Sequence, residues 1–235
     1  MSEHPHDATP SPADDETGGD APPAPDTDYR ARPRADDIPC PFLTTAYNNG
    51  ALVPDEDGTL DAPRIDDAMR RYGISKRLRG RLAGVVVKAD EDDSDTTLNL
   101  FELRGSGLDH TGSSGIRDPK VDPSKVALML SFGEDGRMYR EHFAKAANHF
   151  AKLDPGVAGT VQQTVDMAAL LRVFGRKDDK GALYMTARDI EDVWVHGRHP
   201  EGWVPPEEDS IGMEILGEAG MMHAERVIAR IRGKF

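Results

Sequence analysis

Residues 157–174 read VAGTVQQTVDMAALLRVF, the most apolar stretch of the chain. From Val165 to Phe174, apolar side chains fall nearly all round a helical wheel, which predicts a helix buried in a core. Its acid, Asp166, falls beside Ala169, Leu170 and Val173. A carboxylate on such a strip is costly unless it is paired or its pKa rises. A raised pKa suits a proton shuttle, whereas a place near the helix start would let the group reach water. Working outward, three- and four-residue apolar spacings predict helices at Phe42–Asn49, Arg64–Tyr72, Ser75–Lys88, Thr96–Leu103, Pro123–Phe132, Met138–Leu153 and Thr186–Val195, with a last one from about Ile211 to Arg232. Glycine- or proline-bearing turns separate them. Val85-Val86-Val87 is a β-like run with no second run to pair with, and there is no internal repeat. The expectation is an all-α fold: one compact helical domain.

The charge balance is 29 basic against 42 acidic side chains, a net −13, which repels a phosphate backbone and disfavours nucleic acid as a partner. Hydrophobic residues at 37%, with 23 glycines, are enough for a sizeable core. No run approaches the roughly 18 apolar residues of a membrane span, and the polar start does not read as a signal peptide. No membrane span and a cytoplasmic location are therefore expected. Residues 1–37 hold seven prolines, ten acids and three basic residues. Such a stretch cannot bury enough apolar surface to offset its ordering entropy, so it reads as a disordered acidic tail. Residues 38–206 read as the main domain. Residues 207–235 read as a C-terminal helix with Ile215, Leu216, Ala219, Met222, Val227 and Ile231 on one broad stripe. That stripe packs on the core or serves as a dimer surface.

A single cysteine, Cys40, excludes an internal disulfide and a Cys-rich zinc site. It is a buried small residue, a reactive thiol or a lone thiolate ligand. Proline suits the first helical position, so Pro41 fits there and Cys40 takes the N-cap, while Asn49-Gly50 is a helix stop. A sulfur at the N-cap faces free amides and the positive end of the helix dipole, which favours thiolate. A lone thiolate of this kind is one way to hold a haem iron. His142 and His149 lie seven residues apart on one predicted helix, with no Cys or acid to complete a zinc set, and read as surface or half-buried. His196 and His199, flanking Arg198, read as a structural lock. The glycine-rich 105–107 and 112–115 stretches lack the Gly-Lys-Ser/Thr of a phosphate loop.

Residues 39–54 run Pro39-Cys40-Pro41-Phe42-Leu43-Thr44-Thr45-Ala46-Tyr47-Asn48-Asn49-Gly50-Ala51-Leu52-Val53-Pro54. This resembles the proximal motif of the haem-thiolate chloroperoxidases and unspecific peroxygenases: Pro-Cys-Pro, then Leu, and a later Asn-His-Gly before a proline. Asn49 stands where that family has His, and Thr44 where it has Asn. Asp109-His110-Thr111-Gly112-Ser113 is similar to the family's second motif, Glu-His-Asp or Glu-Gly-Asp followed by Ser. Val165–Ala169 and Gly197–Pro206 are similar to its distal acid-bearing helix and its later Gly-Trp segment with prolines. The likeness covers roughly residues 38–206.

The resemblance implies a helical domain around haem b, with Cys40 as axial ligand between Pro39 and Pro41. It implies Asp166 as distal acid–base, one methylene shorter than the family's glutamate, with His110 orienting it as in chloroperoxidase-like members. It also implies a divalent cation, Mg²⁺ or Mn²⁺, near a haem propionate on Asp109, the His110 carbonyl and Ser113; an acid and a Ser four residues apart suit such an ion. Hydrogen peroxide and a small apolar or aromatic substrate would be the partners. Leu108 and Ala169 stand where relatives often carry aromatic residues, which implies a wider distal pocket. The function expected is that of an oxidoreductase, a haem-thiolate peroxidase or peroxygenase. The alternative is a helical haem-binding or haem-free sensor or interaction protein, in which Asp166 and Thr111 mark lost catalysis.

Overall fold

The structure is a computed structural model that describes residues 31–80, 97–103, 121–153 and 159–212, and positions 214, 215, 217, 219–222 and 224 of the last segment. Residues 1–30, Val85–Val87, the second motif with Leu108, Asp109, His110 and Ser113, and Val227 and Ile231 lie outside the described residues.

The long apolar stretch is helical, as its pattern predicts, over Gly159–Phe174, and it packs against a second helix at Arg140–Leu153. Phe143, Ala146, Ala147 and Phe150 from one, and Met167, Ala168, Leu170 and Leu171 from the other, are buried in one core. Local signals start the shorter helices. Asp61 caps Ala62–Arg71 by accepting from the Arg64 N–H. Asp122 caps Pro123–Leu130 by accepting from Ser124 and Lys125. Both helices carry a proline at the first or second position, where its missing N–H costs nothing. Thr186 and Asp189 form a reciprocal capping box that opens Ala187–Ile190. That helix then widens into a π-helical stretch, Glu191–His196, which ends on left-handed Gly197.

The fold is helix-rich, and two small antiparallel sheets correct the all-α expectation. In the first, Thr59–Asp61 pairs with Thr97–Asn99 in the register Thr59 to Asn99. In the second, Leu183–Thr186 lies between Arg137–Tyr139 and Arg176–Lys177. Two expected helices change in consequence. Thr96–Leu103 contributes a strand instead, and the start of Met138–Leu153 is strand up to Tyr139. Strands of two to four residues are too short to show a two-residue period. Their pairing supplies the hydrogen bonds that their spacing could not announce.

Both ends of the described chain are tied in. Residues 31–37 fall within the acidic proline-rich stretch yet pack on the fold. The Arg32 N–H donates to Asn48 Oδ1, the Tyr47 hydroxyl donates to the Pro33 carbonyl, and Arg34 lies over the Phe101 ring. At the other end Ile211 bridges to Ile74, exchanging bonds with Ser75 and Gly73. Buried Arg79 reaches Asp66 and Asp209, each at 2.9 Å. Ile215, Ala219 and Met222 are buried, so this part of the apolar stripe packs on the core. Among the described residues no helix is long and apolar enough to cross a membrane.

Candidate functional site

Cys40 takes the N-cap of the Pro41–Asn48 helix, in extended conformation (φ −90°, ψ 121°), with proline directly after it. It is buried, and its side chain makes no capping hydrogen bond. Its carbonyl accepts from the Thr44 N–H, which starts the helix, and the buried Thr44 hydroxyl points to both the Cys40 carbonyl (2.9 Å) and the Ile38 carbonyl (3.2 Å). The turn that presents the sulfur is therefore pinned from inside the helix. On the same helix the Thr45 hydroxyl is buried with no hydrogen-bond partner among the described residues. Asn49, in the position of the family's histidine, turns back and donates to the Thr45 carbonyl at 2.7 Å.

The far side of this helix is gripped by the Gly197–Pro206 segment. Asn48 Nδ2 donates to the Gly197 carbonyl at 3.1 Å. Gly197 has φ +59°, and a Cβ on it would lie 2.6 Å from Thr44 Cγ2, so the approach requires glycine. Arg198 holds Asp192, which is buried, at 2.6–2.8 Å and fixes the exit from the π-helical stretch. The Trp203 indole donates to the Val173 carbonyl at 2.8 Å.

Two of the segments carrying the resemblance, the Cys40 helix and Gly197–Pro206, thus meet at the C-terminal end of the long apolar helix. Phe42, two residues past Cys40, packs on Tyr72 (ring centroids 4.9 Å) and Phe174 (6.4 Å). Phe174 packs on Trp203 at 5.7 Å, and His199 stacks on Trp203 at 4.1 Å. Asp166 sits half-buried on the same helix as Phe174, eight residues back, or about 12 Å of helical rise. Leu170 and Val173 are buried, and Ala169 is half-buried. The helical strip that was expected to hold the acid is therefore formed, with Asp166 half-buried near its middle.

One residue departs from its expected setting. His142 is buried, 4% exposed, rather than at the surface or half-buried; its Nδ1 accepts the Tyr139 N–H at the start of the long helix. His149, half-buried, packs on Phe132 and Phe150. The lock expected at His196 and His199 has its main contact at His199, whose Nε2 lies 2.8 Å from the Tyr72 hydroxyl. Burial lowers the His199 pKa to about 4, so the ring is neutral at ordinary pH.

Sequence reasoning did not single out the Arg176–Asp189 pair. Arg176 donates twice to Asp189, at 2.8 and 2.9 Å, and once to the Glu201 carbonyl. Burial alone would raise the Asp189 pKa, but Arg176 and the Thr186 N–H and hydroxyl outweigh it and hold the carboxyl below its usual range. The Thr186-x-x-Asp189 capping spacing was the readable trace of this pair.

A cleft of about 480 Å³ lies along Phe174, Arg176 and Trp203, and a smaller one of about 290 Å³ beside Thr44, Asn48 and His196. Neither Cys40 nor Asp166 lines either cleft. Among the described residues no group of three or more His, Cys, Asp or Glu side chains is placed to hold a metal ion. A haem iron needs only one protein ligand, and Cys40 is a buried cysteine at a helix N-cap. No family model matches the chain, and no curated protein matches it.

Proposed function

We propose that the protein is a haem-thiolate peroxidase or peroxygenase that uses hydrogen peroxide to oxidise or oxygenate small organic substrates, halides included. The observation that carries this reading is the Cys40 turn: a lone buried cysteine at the N-cap, followed by proline and pinned by Thr44. Cys40 would hold the iron of haem b, with Pro39 and Pro41 fixing the backbone on either side. Bound there, haem would supply peroxide activation, the thiolate donating electron density that favours O–O cleavage.

The chain's own residues do the rest. Thr44 keeps the Cys40 carbonyl engaged, so the backbone that carries the sulfur is fixed. Asp166 would move a proton between the two oxygens of hydrogen peroxide, as a general acid–base. His110 orients that carboxyl, and Asp109, the His110 carbonyl and Ser113 take a Mg²⁺ or Mn²⁺ ion, all as the resemblance implies. Ala169 is three residues past Asp166, on the same helix face, and its small side chain suits bulky apolar or aromatic substrates.

The test is haem titration of the full chain, followed by peroxide-dependent oxidation of a small thioether. The reading predicts one haem per chain and an oxidation that Cys40→Ala abolishes. Haem uptake and turnover that are unchanged in Cys40→Ala would overturn it.

A further inference from the structure

The larger cleft is independent of the Cys40 site and has a chemistry of its own. Its volume, about 480 Å³, is that of a small-ligand pocket. Its accessible apolar surface comes from Leu183, Trp203, Val204 and Pro206, while Arg172, Arg176 and Lys177 bring three cations against a single acid, Glu214. Three cations on one cleft are notable in a chain of net charge −13.

These charges differ in how far they are already answered. Arg172 interacts electrostatically with Glu214, and Glu214 also accepts the Gly212 N–H at 2.8 Å. Arg176 is clamped through Nε and Nη2 to Asp189 and the Glu201 carbonyl, while Nη1 has no hydrogen-bond partner among the described residues. A guanidinium held on two nitrogens and open on the third presents fixed donors and loses little freedom when an anion arrives. Lys177, exposed on the next residue, makes no ion pair among the described residues. Beside these donors is the half-buried Trp203 ring, packed against His199, Tyr72 and Phe174 and held by its bond to Val173.

We infer that this cleft binds an arylalkyl carboxylate, with its ring against Trp203 and the neighbouring apolar surface and its carboxylate on Arg176 Nη1 and Lys177. The apolar surface supplies most of the contact, and the two cations select for the anion. The inference does not depend on haem.

The chain has two tryptophans, and Trp194 is buried away from this cleft, so the Trp203 indole N–H is a local reporter. The experiment is ¹⁵N NMR of the full-length protein titrated with 3-phenylpropionate, the Trp203 signal being assigned by its loss in Trp203→Phe. A saturable shift of the Trp203 signal is expected, with the Trp194 signal unmoved. Neutral 3-phenylpropionamide should bind more weakly by at least roughly fivefold, and Lys177→Glu should weaken 3-phenylpropionate binding by the same factor. Lys180→Glu, in the neighbouring turn but outside the cleft, should leave it unchanged. No Trp203 shift at millimolar ligand, or a loss smaller than that for either the amide or Lys177→Glu, would overturn the inference.

Discussion

The Tyr72 hydroxyl lies 2.8 Å from Nε2 of His199, joining the end of the Ala62–Arg71 helix to the Gly197–Pro206 segment 127 residues away. Because burial lowers the His199 pKa to about 4, the ring in this contact is neutral, and its tautomer sets which of the two groups donates. The unfolded chain takes up a proton on this histidine near its ordinary pKa of about 6.5, before the folded chain does. Stability should therefore fall as pH drops from about 6.5 to about 4, by up to about 3 kcal/mol from this group. Chemical denaturation across that window measures the slope, and His199→Gln should flatten it. An unchanged slope in that variant would place the titration elsewhere.

Asp189 is buried and answers Arg176 with both oxygens. Arg176 is partly exposed, so removing Asp189 leaves a partly solvated cation, and the lost charge-assisted hydrogen bonds cost about 1.5–3 kcal/mol. Asp189→Ala should show that loss in urea unfolding, and it also removes the capping box with Thr186. A change within about 0.5 kcal/mol, as at an ordinary surface site, would mean that solvent already screens the pair.

Gly197 is the contact point between the π-helical stretch and the Cys40 helix. Gly197→Ala must place a Cβ 2.6 Å from Thr44 Cγ2 in a left-handed conformation. The backbone strain alone costs about 1–2 kcal/mol, and relief of the clash requires Thr44 to move. Thr44→Val, which keeps the shape and loses only the hydroxyl's bonds to Ile38 and Cys40, should cost about 1 kcal/mol. Thermal melts of the two variants should rank them in that order.

For the proposed chemistry, Asp166→Asn should slow reaction with hydrogen peroxide by roughly 10²–10⁴-fold while sparing the resting spectrum. Asp166→Glu restores the longer reach of the resembled family and should raise the rate. Ala169→Phe should depress turnover of bulky aromatic substrates and spare a small thioether. Equal losses on large and small substrates would place residue 169 in the packing of the core, away from the substrate.

What could be read in advance follows the range of the forces involved. Cys40, Pro41 and Asn49-Gly50 bound a helix through effects confined to a few residues, and the Pro41–Asn48 helix begins and ends where those residues put it. The Gly159–Phe174 helix was legible because sixteen residues carry enough apolar positions to show a face. Thr97–Asn99 was not, since three residues carry no period and the strand exists by pairing with Thr59–Asp61. The burial of His142, the Tyr72–His199 contact and the cleft beside Trp203 depend on segments that meet only after folding. Of the site, Cys40 and the Asp166 helix stand where the pattern put them, while Asp109, His110 and Ser113 lie outside the described residues.

The central claim is that Cys40 binds haem iron as a thiolate, and the absorption spectrum of the haem-loaded, reduced, carbon-monoxide-treated protein tests it most directly. Thiolate ligation moves the main band to a long-wavelength position that imidazole ligation does not produce. The account predicts that band in the parent chain and its loss in Cys40→Ala. An imidazole-type band in the parent chain, or a thiolate-type band that survives in Cys40→Ala, would contradict it.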